Sequence, residues 1–214
     1  MAMTVGLISQ KGGPGKSTIA RGLAVAFALN KWSVKIADLD LKQATSTEWL
    51  RDRLQNGILP EVAVEPFGSV AQALRKADDY DVMIFDGAPH ASMSTADMAK
   101  VCDLVIIPTG LAKDDLRPSV VLADELMSQH GIDPARIAFA LNHVGDSAYE
   151  LAEARAYLAH KPFHILDGHL PEQVSYRSAM DMGYSIIENR YKGPREQAER
   201  LIQAIMNYIN TLPE

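Results

Sequence analysis

The stretch Val5-Gly6-Leu7-Ile8-Ser9-Gln10-Lys11-Gly12-Gly13-Pro14-Gly15-Lys16-Ser17-Thr18 decides the fold. It opens with a short apolar run (Val5–Ser9), turns through a glycine-rich segment and enters an amphipathic stretch from Ser17 to Leu29. Glycines at 12, 13 and 15 let the backbone curl so that successive N–H groups point inward, at the oxygens of a phosphate. The helix that follows adds the positive end of its dipole. The phosphate-loop pattern G-x-x-x-x-G-K-[ST] is met in its second half by Gly15-Lys16-Ser17, while Gln10 stands where the first glycine belongs. In such a loop Lys16 reaches the β- and γ-phosphates, the Ser17 hydroxyl ligands Mg²⁺ and Thr18 contacts the α-phosphate. A glycine-rich turn that binds nothing is the alternative, and a strand before, a helix after and Lys-Ser in place disfavour it.

Working outward, short apolar runs alternate with amphipathic stretches. Val5–Ser9, Val34–Asp38, Val62–Pro66, Val82–Asp86, Leu104–Pro108 and Ile137–Asn142 read as strands. Several are continuous and β-branched, as expected when both faces of a parallel sheet are covered. Ser17–Leu29, Thr47–Gln55, Val70–Lys76, Ser94–Val101, Ser119–His130 and Ser147–His160 read as helices. The order implies an α/β fold with a doubly wound, mostly parallel sheet, helices on both faces and right-handed crossovers. Ligands of such sheets sit at the carboxyl ends of the strands. No repeat, low-complexity tract or linker breaks the chain, so residues 1–214 are expected to form a single domain. Pro194 to Leu212 reads as one long helix with Leu201, Ile202, Ile205, Met206 and Ile209 as its apolar stripe. After Arg200 it carries no basic residue and the chain ends in Glu214, so core packing is expected in place of a membrane surface.

Hydrophobic residues make up 47% of the 214 and charged residues 22%, ordinary globular usage that excludes disorder as the dominant state. A formal charge of −6 argues against a chain coated in nucleic acid, though a local basic patch acts over roughly 10 Å whatever the total. Cys102 is the lone cysteine, so neither an internal disulfide nor a cysteine metal cluster can form. With no signal-like N-terminus and no run of roughly 20 apolar residues, a soluble, cytoplasmic protein is expected.

Three carboxylates fall at strand ends. Asp86 closes Val82-Met83-Ile84-Phe85, a buried strand that delivers a carboxylate to a Mg²⁺ shell. Asp38 and Asp40 end the second strand. A carboxylate there orients the attacking water opposite the γ-phosphate, as base or as hydrogen-bond acceptor. Asp38 is assigned to that water, and Asp40 joins Asp86 and Ser17 around the metal. Helix capping is the competing role for each aspartate.

Lys11-Gly12-Gly13-x-Gly15-Lys16-Ser17-Thr18 resembles the deviant Walker A loop of the ParA/MinD superfamily, whose mark is a lysine at the position of Lys11. Ile36-Ala37-Asp38-Leu39-Asp40 resembles the superfamily's second motif, with Leu41-Lys42 in place of its usual Pro-Gln. Asp81 through Pro89 is similar to its Walker B segment, and Asp103-Leu104-Val105-Ile106-Ile107-Pro108 to the strand that follows. The length looks most like the small plasmid-partition ParA proteins. The resemblance implies an ATPase that hydrolyses ATP to ADP with Mg²⁺, slowly and under stimulation by a ParB-like or small adaptor partner. It implies an ATP-dependent homodimer with two ATP molecules between the subunits, in which Lys11 reaches across to the partner's phosphates. Asn142 and Pro171 match adenine-contacting positions. Nonspecific DNA binding and association with the nucleoid are also implied. Arg177, Arg190, Lys192, Arg195 and Arg200, flanked by Tyr176, Tyr184 and Tyr191, are the densest late basic set for it, and solvated surface charge is the alternative for each.

Other features carry less. His90, His143, His160, His164 and His169 show no metal-ligand spacing. Ser92 and Ser94 form no nucleophile elbow. Asp114-Asp115 is expected in a loop that senses the γ-phosphate or a partner chain, with a helix N-cap as the alternative. Trp32 and Trp49 read as packing residues. Three other functions compete: a MinD-like membrane-associated ATPase, a relative of the nitrogenase iron protein or arsenite pumps, and a P-loop ATP-dependent ligase. The acidic end of the last helix disfavours the first, a single cysteine the second, and Lys11 with Asp38 and Asp40 the third.

Overall fold

A computed structural model describes residues 2–88 and 92–212, the side chains of 92–94 excepted. The elements run β1 (Met3–Leu7), α1 (Lys16–Leu29), β2 (Val34–Asp38), α2 (Thr45–Gln55), β3 (Ala63–Pro66), α3 (Val70–Leu74), β4 (Val82–Asp86), α4 (Ser92–Val101) and β5 (Leu104–Thr109). They continue through α5 (Lys113–His130), β6 (Ile137–Leu141), α6 (Ala148–Ala159), β7 (His164–Ile165), α7 (Val174–Met180) and α8 (Lys192–Ile209). The strands form one sheet in the order β3-β2-β4-β1-β5-β6-β7, every pair parallel.

The continuous apolar runs have the expected cause, because alternate residues of each strand feed two separate cores. Val5, Leu7, Val82, Ile84, Leu104, Ile106, Ala138 and Ala140 meet α1, α2 and α8 on one face. Met83, Phe85, Val105, Ile107, Phe139 and Leu141 meet α4, α5 and α6 on the other. Leu201, Ile202, Ile205 and Ile209 of α8 are buried in the first core, as the apolar stripe predicts. Burial of side chains like these stabilises by about 1.5–3 kcal/mol each before the entropy of ordering is set against it.

Several sequence expectations are corrected. The first strand runs Met3–Leu7, two residues earlier than expected, and the next helix begins at Lys16. The second begins at Thr45 and the fifth at Lys113, six residues before Ser119. Pro118 lies inside that fifth helix, one residue before the start expected from sequence. The two-residue β7 and the seven-residue α7 were not anticipated. Trp49 is buried as expected, but Trp32 is 43% exposed and lies tilted against Phe27 at the α1–β2 turn.

Candidate functional site

Sheet register assembles the site. Leu7, Asp86 and Asp38 are aligned across β1, β4 and β2, so the loop leaving β1 lies beside two carboxylates. In that loop Gly13 has φ of 85° and Gly15 φ of 99°, a region that favours glycine. A Cβ on Gly15 would stand 1.8 Å from Nδ2 of Asn142, so the loop and β6 approach through a space no side chain can share. Gly15 is also the N-cap of α1, and no side chain caps that end.

Lys16 is buried and donates to Ser9 Oγ at 3.0 Å, while Ser9 Oγ donates to the Lys11 carbonyl at 2.6 Å. Burial pulls the Lys16 ammonium below the ordinary lysine value, and the Asp86 and Asp40 carboxylates push back. Burial raises Asp86 above the usual carboxylate range, opposed by the Ser17 and Ser46 hydroxyls and by the charge of Arg21. Asp38 is also raised by burial, opposed by hydrogen bonds from the 40–47 turn.

The two carboxylates at the end of β2 have distinct places. Asp38 Oδ1 accepts from Asp40 N at 3.1 Å and Oδ2 from the Thr47 N–H and hydroxyl at 3.3 Å each, so it holds the entry to α2. Asp40 Oδ1 accepts from the N–H groups of Lys42 and Gln43. The capping role considered for strand-end aspartates is therefore present here, alongside the buried position a catalytic carboxylate requires.

Among the described residues, no three of His, Cys, Asp and Glu cluster as a metal cage. Mg²⁺ needs none, since it is held by one or two protein oxygens, phosphates and water. One observation fits that ion: Asp86 Oδ1 is buried and, among the described residues, has no hydrogen-bond partner. Ser17 opens α1 close by, and Thr45 Oγ1 donates to its hydroxyl at 3.4 Å. The donor set of Ser17 and Asp86 fits a phosphate-bound Mg²⁺, with Asp40 farther out along the turn.

Lys11 is tied within its own chain. Its ammonium contacts Asp115 Oδ1 at 2.9 Å and also donates to the Asp114 carbonyl. Asp114 and Asp115 lie in the first turn of α5 rather than in a loop, and Ala112 rather than either aspartate is the N-cap. The second tie has a structural cause. The helical partner of the Asp114 carbonyl would be the N–H of residue 118, and Pro118 has none. Lys11 satisfies the carbonyl that the proline frees. Both side chains of the ion pair are more than a third exposed, so this tie contributes at most about 1 kcal/mol.

Asn142 follows β6 and is buried, donating to the Pro14 carbonyl at 2.7 Å and accepting from His143 N at 2.9 Å. It thus props the loop from beneath. Pro171 bridges Val144, two residues beyond Asn142, so the two adenine candidates lie on neighbouring paired segments. His143, read from sequence as one of several scattered histidines, lies with Nε2 3.0 Å from the Gly13 carbonyl. Its adjacency to Asn142 was the available signal.

The basic set is less concentrated. Arg177, Arg190, Lys192 and Arg200 are exposed, but Lys192 and Arg195 face Glu196 and Glu199 one turn along α8, at 3.7 and 3.8 Å. Arg190 lies over the Tyr191 ring at 4.6 Å, while Tyr176 is buried and donates to the Pro194 carbonyl. Pro89, His90 and Glu214 fall outside the described residues, as do the Ser92 and Ser94 side chains.

A parallel sheet with a two-lysine phosphate loop at β1 and aligned carboxylates on β2 and β4 defines a P-loop ATPase of the deviant-Walker class. The family model described as "ATPase MipZ" matches residues 3–148, and the chain belongs to that family, within the ParA/MinD superfamily. The chain is 27% identical over 208 residues to the maintenance of carboxysome distribution protein A of Gloeobacter kilaueensis, covering 90% of this chain and 87% of that one. Pyrococcus furiosus MinD superposes with a TM-score of 0.73 at 18% identity, covering 97% and 99% of the two chains. A Borrelia burgdorferi putative plasmid partition protein bound to AMPPNP gives 0.75 at 16% identity, covering 97% and 99%. ATP or ADP with Mg²⁺ are the ligands of this class. No helix among the described residues is long and apolar enough to cross a membrane.

Proposed function

We propose that this chain, acting as one ATPase domain, is a positioning switch that dimerises around ATP and carries its cargo by binding duplex DNA without regard to sequence. The observation that carries the reading is Lys11, a second loop lysine that Lys16 does not need and that two exposed contacts hold. In this reading the ammonium leaves Asp115 and the Asp114 carbonyl and reaches the phosphates of a partner subunit. Two lysines in one loop repel each other until triphosphate charge compensates both, which makes the dimer conditional on ATP.

Lys16 binds the β- and γ-phosphates from within its own subunit, and the loop N–H groups with the α1 dipole hold the rest. Ser17 and Asp86, with Asp40 beyond them, hold Mg²⁺, which when bound neutralises charge on the phosphate oxygens. Asp38 accepts a hydrogen bond from the attacking water and aligns it, its burial raising its basicity. Asn142 and Pro171 flank the adenine. The Asn142 amide then exchanges part of its bonding to Pro14 for the base. A ParB-like or small adaptor partner stimulates hydrolysis, and plasmid or chromosomal DNA or another assembly is the cargo.

DNA contact is assigned to Arg177, Arg190, Lys192, Arg195 and Arg200. The acidic neighbours on α8 make one patch weak, so two patches on a rigid dimer must engage one duplex together. The ATP-bound dimer is therefore expected to bind duplex DNA while the ADP-bound monomer does not. Log K should fall by about 0.9 per phosphate neutralised for each unit of log salt. Replacing Arg190, Lys192 and Arg195 together by Ala should weaken DNA binding and leave ATP affinity intact, as read by fluorescence anisotropy and calorimetry. A trapped dimer that ignores DNA at low salt but binds anionic liposomes would transfer the reading to a membrane surface.

A further inference from the structure

Arg21 is 7% exposed and lies on α1 four residues after Ser17, so both point from the same helix face. Among the described residues it forms no ion pair, and its Nε donates to Ser46 Oγ at 3.2 Å. Ser46, fully buried in the first turn of α2, lies 2.7 Å from Asp86 Oδ2. The proton inventory orders this chain. A guanidinium can only donate, and a serine hydroxyl has one proton, so Ser46 accepts from Arg21 and donates to Asp86. The other Asp86 oxygen is the buried one with no partner among the described residues. Trp49, three residues after Ser46 on α2, backs the arrangement. Its indole lies 5.7 Å from the Arg21 guanidinium carbon and 5.4 Å from that of Arg53, and its N–H donates to the Tyr184 carbonyl at 2.9 Å.

A guanidinium buried this deeply is costly, since desolvation is repaid only by well-made bonds. An apolar side chain would fill the same volume between α1 and Trp49. We propose that Arg21 is a positioning residue that, through Ser46, holds the Asp86 carboxylate in one orientation and leaves its other oxygen for Mg²⁺. The inference rests on reading Asp86 as a Mg²⁺ ligand. It also ties the metal to α2, the helix whose entry Asp38 holds, so metal affinity depends on the same turn that carries the water-positioning carboxylate. Partners of metal ligands of this kind typically change metal affinity by about 10–100-fold when removed.

The test is calorimetric ADP binding across a Mg²⁺ series, which yields the Mg²⁺ half-saturation, with ADP affinity in EDTA as the measure of an intact loop. Ser46→Ala and Arg21→Met should each raise the Mg²⁺ half-saturation about 10–100-fold while the EDTA value stays put. Arg21→Gln is the discriminating variant. Its amide nitrogen is as many bonds from the backbone as arginine Nε, so it keeps the donor to Ser46 and removes the charge. It should stay within about threefold of the native protein, on the same scale. If Gln and Met shift together in either direction, charge rather than the bond is responsible and the proposal fails. An unchanged Ser46→Ala also overturns it, and this arm stands even if Arg21→Met does not fold. Asp86→Ala separates the two levels: if that variant keeps its Mg²⁺ dependence, the metal assignment itself fails. If it loses that dependence while Ser46→Ala does not, the positioning role alone fails.

Discussion

A Lys16→Ala variant is expected to lose ATP and ADP binding in calorimetry by more than about 10²-fold, because truncating one side of a buried charge pair typically costs 3–5 kcal/mol. Lys16 is buried with Ser9 Oγ as its partner, and in the proposed reading Lys11, the other cation of the loop, serves the partner subunit instead. A pH signature accompanies the loss. Burial sets the lysine below its ordinary 10.5, so it gives up its proton at a lower pH than a surface lysine. Nucleotide affinity of the native protein should therefore fall as pH rises through that depressed value, after the phosphates are fully charged. Affinity that holds to the ordinary lysine range would show that Lys16 is not the phosphate counterion.

The second large effect is kinetic. Asp38→Ala should bind ATP with near-native affinity, form the dimer and remain in it, with turnover reduced by about 10²–10⁴. The carboxylate lies at the end of β2 in register with Asp86, buried and held by Thr47 and the Asp40 N–H. The substitution also removes the bonds at the start of α2, so the thermal midpoint should be recorded beside the rate. Asp38→Asn, which keeps an acceptor for Thr47, should restore the midpoint without restoring turnover. Unchanged turnover in both variants would pass the water to Asp40 or another group.

The strand ends were legible because a parallel strand covered on both faces needs apolar residues at every position, and the first charged residue after such a run marks where the sheet meets solvent. Asp38 and Asp86 were found that way, the loop beside them by its glycines and Lys16-Ser17, and register aligns both carboxylates with Leu7, where that loop leaves β1. Local rules failed where a distant side chain changed the balance. The helix expected from Ser119 begins at Lys113 and passes through Pro118, and Lys11, more than a hundred residues away, bonds the carbonyl that proline frees. Two-residue β7 is too short to show a period, and Trp32 looks like a core residue although it borders solvent. Arg21 and Ser46 carried no signal, since their meeting with Asp86 joins α1, α2 and β4 across gaps of 25 and 40 residues. His143 was visible only as a neighbour of Asn142, and its contact with Gly13 spans 130 positions. Strand ends and loops are written locally, whereas the supports beneath them are tertiary.

The central claim is that Lys11 acts across a subunit interface, and light scattering of native protein and Lys11→Ala with ATP and Mg²⁺ tests it most directly. The ties to Asp115 and the Asp114 carbonyl are exposed and weak, so triphosphate charge is sufficient to draw the lysine away. The native chain should double in mass with ATP and return to one subunit with ADP. Lys11→Ala should bind ADP normally by calorimetry and stay at one subunit with either nucleotide. A normal ATP-dependent mass shift in Lys11→Ala would contradict the account.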